Sequence, residues 1–186
     1  MRNEIGSAED LIRPAIIWAR HLRDEVEPVG QPLSDEIRQK LESFFRDRIL
    51  LKTKIHFVPV IPNPSFYDLL PVGTPLPFDL TILRGLTIDS VILLAETRIA
   101  QKPPPLSLIF HELVHVVQYD LLGIDEFFTQ YITGWFRSGR EYRTNPLEKE
   151  AYELQARFEE DPSEVFSVCK VVADRLAHPD RAKATD

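Results

Sequence analysis

Residues 106–123 read LSLIFHELVHVVQYDLLG, and the helix that they predict organises the rest of the chain. Apolar residues lie on nearly every side of that helix, which indicates a buried helix rather than one on the surface. Gly123 is a natural end for it, because glycine readily adopts the conformation that follows a helix C-terminus. Two histidines and a glutamate lie within this apolar segment, and burying such groups is costly unless something pairs with them.

These polar residues form the pattern His111-Glu112-x-x-His115. Residues four apart share one face of a helix, so both imidazoles can reach a single metal ion. Glu112 projects beside them, where a carboxylate can act as the general base on water activated by zinc. The metzincin extension of this motif needs glycine and histidine where the chain has Gln118 and Leu121, so that class is excluded.

A catalytic zinc site needs a third protein ligand. The helix predicted to begin at Asn145-Pro146 offers Glu148 and Glu150, which flank its apolar stripe at similar angles, whereas Glu153 is expected to be solvated. Periodicity therefore does not separate Glu148 from Glu150. Glu148 also lies three residues after Asn145, where a glutamate completes a capping box, so a capping role is an alternative for it.

Length and composition limit the class of protein. The chain has 186 residues, which is enough for one domain over residues 1–186, and its 44% hydrophobic and 27% charged residues are typical of a globular protein. The net charge of −7 argues against a nucleic-acid partner, because phosphate binding needs a basic surface. No segment has the roughly 20 apolar residues of a membrane helix, so no membrane partner is expected. The acidic start MRNEIGSAEDL lacks the apolar core of a secretory signal, which makes the cytoplasm the expected location.

Periodicity divides the chain into helical, strand-like and again helical parts, which predicts an α+β fold with N-terminal helices, a small sheet and C-terminal helices. Helical spacing covers the chain to about Leu51, with Ser34 as the cap of the second helix. Strand patterns follow at residues 55–61, 86–88 and 91–94, and the last two could form a hairpin or one bulged strand. The proline-rich stretch 59–77 could be a lid over a cleft or a surface connection.

The last part of the chain is predicted to hold four helical segments, one of them the helix that begins at Asn145-Pro146. The first is the helix of residues 106–122, and the second carries two aromatic rows over residues 127–136 that are expected in the core. The last is expected to open at Asp161-Pro162. Its inward residues would be Val165, Phe166, Cys169, Val172 and Leu176.

HELVHVVQY at 111–119, followed by NPLEKEAY at 145–152, resembles the gluzincins, which are HExxH metallopeptidases with a zincin-like fold. It resembles in particular a compact, largely uncharacterised bacterial group that also carries a strand similar to GLTIDSVILL, here Gly85 to Leu94. The similarity spans about residues 83–153. In gluzincins the third zinc ligand is a glutamate in an ExxA or ExxS element on a later helix. The resemblance therefore implies that His111, His115 and Glu148 bind Zn²⁺.

The chain departs from the gluzincin pattern at Tyr152. Many gluzincins have aspartate there, four residues after the ligand glutamate, where it accepts a hydrogen bond from a zinc-bound histidine. A phenol cannot supply that negative charge, so the departure concerns catalytic strength more than metal binding. Asn145 and Asp120 are candidate substitutes for the missing aspartate.

The resemblance also implies an oxyanion donor and a peptide-binding strand. Tyr142 is the favoured donor because it precedes the Glu148 helix in a short loop, and the strand predicted to present its edge to the cleft is Val91–Leu94. Other candidate donors are Tyr119, Tyr131 and His178.

Two functions follow as expectations. The first is zinc-dependent hydrolysis of a peptide or protein substrate, with Glu112 as the general base. The second is a catalytically weak or inactive zinc-binding domain that binds a protein or peptide. The sequence leaves the substrate specificity and the oligomeric state open.

Overall fold

A computed structural model describes residues 7–69 and 78–178, which form six α-helices and a small mixed sheet of four strands. This confirms the predicted α+β class. The elements, in chain order, are α1 (Ala8–Val26), β1 (Gln31–Pro32), α2 (Asp35–Leu41), α3 (Asp47–Lys52), β2 (Lys54–Val58), β3 (Gly85–Ile88), β4 (Val91–Ala95), α4 (Leu106–Arg137), α5 (Pro146–Glu160) and α6 (Val168–Ala177). None of the helices in these two ranges combines the length and the apolar character that crossing a bilayer requires.

The sheet has the strand order β1-β2-β4-β3. β3 and β4 form an antiparallel hairpin, in which Asp89 adopts a positive φ of 56° at the turn. β2 pairs with β4 in parallel, an arrangement that requires the long connection that separates these strands in the sequence. The prediction that Val91–Leu94 presents a sheet edge is therefore wrong, because β4 lies between two neighbours. The edge strand beside the HExxH helix is β3.

Every residue of β4 is buried, because both faces of the sheet are covered by helices. Ile92 and Leu94 pack into a core that contains the first half of α4, α5 and α6. Val91 and Leu93 point to the other face, where α1 and the second half of α4 pack. The alternation of side chains along a strand explains how one short apolar segment serves two cores.

Helix α4 extends past its predicted end, but its direction changes where the sequence indicated. Gly123 has φ 73° and ψ 167°, which is not helical and divides α4 into two halves. In the second half, Phe127, Phe128, Ile132 and Trp135 are buried, which confirms that the aromatic rows belong to the core.

Helix α5 begins as predicted, with Asn145 as the cap and Pro146 at the first helical position. The Asn145 side chain accepts a hydrogen bond from the Leu147 amide and donates one to the Tyr131 carbonyl, which joins α5 to the second half of α4. Gly134 permits this close packing, because a Cβ there would lie 2.9 Å from the Cδ of Pro146. These contacts fix where the first turn of α5 lies relative to the HExxH motif.

Two helix boundaries differ from the prediction. The second predicted helix is two short ones, α2 and α3, because the Phe44 carbonyl between them accepts a hydrogen bond from the Val168 amide instead of continuing a helix. The last helix begins at Val168 with Ser167 as its cap, since the Asp161 side chain forms a turn with the Ser163 amide. Val165 is consequently exposed rather than inward.

We expect the substitution Gly123→Ala to destabilise the protein by about 1–3 kcal/mol, because its φ and ψ lie in a region that essentially only glycine adopts. No atom lies within 4 Å of a Cβ built at this position, so the cost is one of backbone conformation alone. Urea unfolding measures the effect, with Glu126→Ala in the same helix half as the control. Equal stability of the Gly123→Ala variant and the wild type would contradict this explanation of the break.

Candidate metal centre

Three buried side chains converge where α4 meets α5. His111 and His115 come from the first half of α4, and Glu148 comes from the first turn of α5. The two imidazole Nε2 atoms are 3.3 Å apart, and each lies 3.5 Å from Oε2 of Glu148. All three residues are at least 95% buried. The structure thus brings together the set that the gluzincin resemblance implied.

The geometry of this group fits a metal ion. Ligands bound tetrahedrally at 2.0–2.2 Å stand about 3.3–3.6 Å apart, and the three observed separations fall in that range. Oε2 of Glu148 is buried and has no hydrogen-bond partner among the described residues, although it faces both imidazoles. An unpaired carboxylate oxygen that faces two ring nitrogens is the arrangement that a shared cation resolves.

The electrostatics of the site also favour a positive charge. Burial alone would raise the pKa of Glu148, but the attraction of His115 and His111 outweighs burial and holds that pKa well below its usual range. For His115, burial alone would lower the pKa, but Glu148 outweighs burial and raises the pKa to about 9. The carboxylate is therefore poised to bind a cation, whether a proton on imidazole or a metal ion.

Gln118 determines how His115 presents its ring. The Gln118 side chain is fully buried, and its amide nitrogen donates to the Leu147 carbonyl at 3.0 Å and to the Glu150 carboxylate at 2.9 Å. Its amide oxygen lies 2.8 Å from Nδ1 of His115. Because that oxygen can only accept, Nδ1 carries a proton, and Nε2 is the nitrogen that faces Glu148 and is placed to bind a cation. Nothing in the helical pattern distinguished Gln118 from the apolar residues around it.

Glu150, the alternative ligand, lies outside the converging group. One oxygen accepts from Gln118, and the other lies 3.7 Å from the Arg175 guanidinium. Burial raises the pKa of Glu150 to about 6, although Gln118 and Arg175 oppose that shift. The third glutamate of the helix, Glu153, is paired with Arg175 at the surface, as its predicted solvation implied.

A hydrogen bond from the second half of α4 also positions the Glu148 carboxylate. The Tyr131 hydroxyl donates to Oε1 of Glu148 at 2.8 Å, which leaves Oε2 directed toward the histidines. Tyr131 was considered as an oxyanion donor, but here its proton is committed to the carboxylate. The Asn145 side chain donates a hydrogen bond to the Tyr131 carbonyl, so Asn145 supports Glu148 through Tyr131. Its side-chain hydrogen bonds go to Tyr131 and Leu147 rather than to a histidine.

Glu112 lies against the edge strand β3. The Thr87 hydroxyl donates to Oε2 of Glu112 at 2.7 Å. Gly85 provides the space for this carboxylate, because a Cβ on Gly85 would lie 2.3 Å from its Oε1. The motif predicted that Glu112 projects beside the histidines, but the roles of Thr87 and Gly85 depend on contacts across elements that no spacing indicates.

Tyr152 packs its ring on His111, with the ring centroids 4.5 Å apart, and Nδ1 of His111 has no hydrogen-bond partner among the described residues. The proposal that Asp120 substitutes for an aspartate at position 152 is wrong. The Asp120 carboxylate binds Arg48 and Lys52, which ties α3 to α4.

A partly open, largely apolar cavity of about 120 Å³ adjoins this converging group. Its wall includes the polar residues Glu112, His115 and Glu148 and, in addition, Tyr119 and Tyr142. Tyr142 stacks on Phe78 with ring centroids 4.9 Å apart, and burial raises its pKa well above the usual value. His178 is exposed at the end of α6, where its ring binds the Asp174 carbonyl, and it does not line the cavity.

The proline-rich stretch contributes to the cavity wall through Pro64, Phe66 and Tyr67. Residues 70–77 of that stretch lie outside the described residues. The part that is described therefore forms part of the cavity wall next to residues Leu11, Ala15 and Trp18 of α1.

Comparisons of the chain with known protein families, with curated proteins and with solved structures found no match. The interpretation of the centre therefore rests on its own geometry and chemistry.

We expect Glu148→Gln to lose the metal and Glu150→Gln to keep it, because only Glu148 faces the two imidazoles. Each protein is loaded with excess zinc, freed of unbound metal by gel filtration and assayed by elemental analysis. One zinc per chain is expected in the wild type and in Glu150→Gln. Loss of zinc in Glu150→Gln alone would transfer the ligand role to Glu150.

Proposed function

We propose that this protein is a zinc-dependent peptidase of the gluzincin type, in which His111, His115 and Glu148 bind the metal. The observation that carries the proposal is the convergence of one atom from each of these residues at tetrahedral spacing. The Glu112 carboxylate lies next to them and is held by the Thr87 hydroxyl. Two imidazoles and one carboxylate form the ligand set of several zinc hydrolases.

Bound zinc supplies Lewis-acid activation of water and of the substrate carbonyl. Glu112 takes the proton from the attacking water and returns it to the leaving amine, which is the general-base and then general-acid role. Thr87 holds one oxygen of Glu112, and Gly85 leaves room for the other. Tyr142, which lines the same cavity, is the proposed donor to the oxyanion.

The surroundings of the centre support an extended peptide as the substrate. Among the described residues β3 pairs only with β4, so its other edge can bind a peptide backbone. The cavity beside Glu112 is walled by Leu86, Phe127, Ile132 and Trp135, which suits a large apolar side chain of the substrate.

The second candidate function is a zinc-bearing domain that binds a peptide without cleaving it. The observation that favours it is that, within the described part of the chain, Nδ1 of His111 has no hydrogen-bond partner and the His111 ring packs against Tyr152. Digestion of a peptide library separates the two functions. Cleavage that a chelator removes and zinc restores excludes the binding-only function.

We expect Glu112→Gln to retain zinc but to lower kcat by about 10²–10⁴-fold, because it removes the general base and keeps the shape of the side chain. The assay uses a peptide that the wild type cleaves, together with elemental analysis for zinc. Glu153→Gln, a change at the exposed side of α5, is the control and should cleave normally. Full activity of Glu112→Gln would refute the mechanism.

We expect Gly85→Ala to destabilise the protein by about 1–3 kcal/mol and to reduce hydrolysis, because the new Cβ overlaps the Glu112 carboxylate. Urea unfolding of Gly85→Ala in the wild-type and Glu112→Ala backgrounds measures the coupling. Most of the cost should disappear when position 112 is alanine. An equal cost in both backgrounds would show that the two residues do not compete for this space.

A further inference from the structure

We propose that Glu150 is a positioning residue that acts on the metal ligand His115 through the side chain of Gln118. The inference rests on the zinc-binding part of the proposed function, and it assigns to this chain the negative charge that Tyr152 cannot supply. The three side chains form a relay of two hydrogen bonds, one between the Glu150 carboxylate and the Gln118 amide and one between that amide and the His115 imidazole.

The direction of this line follows from which groups can donate. The Leu147 carbonyl and the Glu150 carboxylate are acceptors only, so the nitrogen of the Gln118 amide must face both of them. The oxygen of the amide then faces Nδ1 of His115, which must donate its proton. Nε2 is thereby directed to the side where Glu148 and His111 lie, and it is the nitrogen available to a metal ion.

The burial of Gln118 and Glu150 supports an electrostatic role for this relay in addition to a packing role. Gln118 is fully buried and the Glu150 side chain is only 6% exposed, so this carboxylate sits where an unused charge would be costly. Arg175 compensates it only in part, because the guanidinium is 3.7 Å away, is 36% exposed and is shared with Glu153 at 2.7 Å. Among the described residues, Glu150 also accepts a hydrogen bond from Gln118, which leads to His115.

A carboxylate at this position strengthens the metal site in the way that a direct partner of a ligating histidine does. It polarises the Gln118 amide, which makes the amide oxygen a stronger acceptor and Nε2 of His115 a better electron donor. Nδ1 of His111 has no hydrogen-bond partner among the described residues and its ring packs on Tyr152, so the outer charge is delivered to one histidine of the pair. The two glutamates that spacing could not separate thus have different tasks, although they lie only two residues apart in α5.

The test is the zinc affinity of the full chain, measured by competition with a chelator of known affinity. Glu150→Gln keeps a hydrogen-bond acceptor for Gln118 but removes the charge, and zinc affinity should fall roughly tenfold, the lower end of the range for outer partners of metal ligands. Glu159→Gln removes an exposed carboxylate near the far end of α5 that is bonded to Gln155, and it should bind zinc like the wild type.

A double-mutant cycle distinguishes a charge effect from a packing effect. In Gln118→Met the amide that links Glu150 to His115 is absent, so adding Glu150→Gln should change zinc affinity by less than about twofold, against roughly tenfold in the wild-type background. The two losses together should therefore be far from additive. A purely structural role of Glu150 predicts the same loss in both backgrounds.

Arg175→Gln gives a test of opposite sign and does not depend on whether Glu150→Gln folds. It removes a partly exposed cation that compensates Glu150, so zinc should bind about 2–5-fold more tightly, the size that a partly exposed charge pair gives. Equal affinities in the wild type, Glu150→Gln and Arg175→Gln would overturn the relay and leave the zinc site intact. A wild type that binds no zinc would instead overturn the proposed function and the relay together.

Discussion

The structure depends on one electrostatic constraint, which is that two imidazoles and a carboxylate are buried together where α4 meets α5. Removing a charged or strongly polar group from water costs several kcal/mol unless a partner replaces the solvent. These three side chains are at least 95% buried and have their free nitrogen and oxygen atoms pointed at one another. A shared cation satisfies all three at once, and the surrounding elements are arranged so that this can happen.

Backbone features far from the centre hold the ligands at that spacing. The break at Gly123 redirects α4, so that its second half returns past α5 and brings the Tyr131 hydroxyl to Glu148. Asn145 then fastens the start of α5 to the Tyr131 carbonyl, and Gly134 allows Pro146 to approach. Glu148 is therefore placed by a helix cap and a helix break, and the apolar cores above and below β4 keep both in position.

Local signals in the sequence were sufficient for most elements but not for the contacts between them. The HExxH helix, the break at Gly123 and the start of α5 at Asn145 depend on residues within one or two turns, and all three were predicted. The edge strand was assigned wrongly because strand order is set by the crossover from β2 to β4, which joins residues more than 30 positions apart. Glu148 and Glu150 were inseparable for a similar reason, since a helical angle does not tell which neighbour each will face. Gln118, Thr87 and Gly85 had no signal at all, because their roles exist only where two elements meet.

The placement of negative charge around the centre has its own physical logic. Glu148 and Glu112 border the cavity beside the histidines, and a dication there can offset both carboxylates. A third carboxylate at the same distance would add repulsion without adding a ligand, and like charges in a poorly hydrated site interact strongly.

Glu150 avoids that repulsion, because a neutral amide separates it from His115 and Arg175 lies on its outer side. In the proposed relay, the Glu150 charge acts on His115 through the directional hydrogen bonds of Gln118. The repulsion between Glu150 and Glu148 is reduced at the same time. An aspartate at position 152 would have achieved a similar effect on His111 at closer range, and Tyr152 fills that space with an aromatic ring instead. In the proposed centre, His111 therefore lacks a direct outer carboxylate, and His115 has a more distant and better shielded one in Glu150.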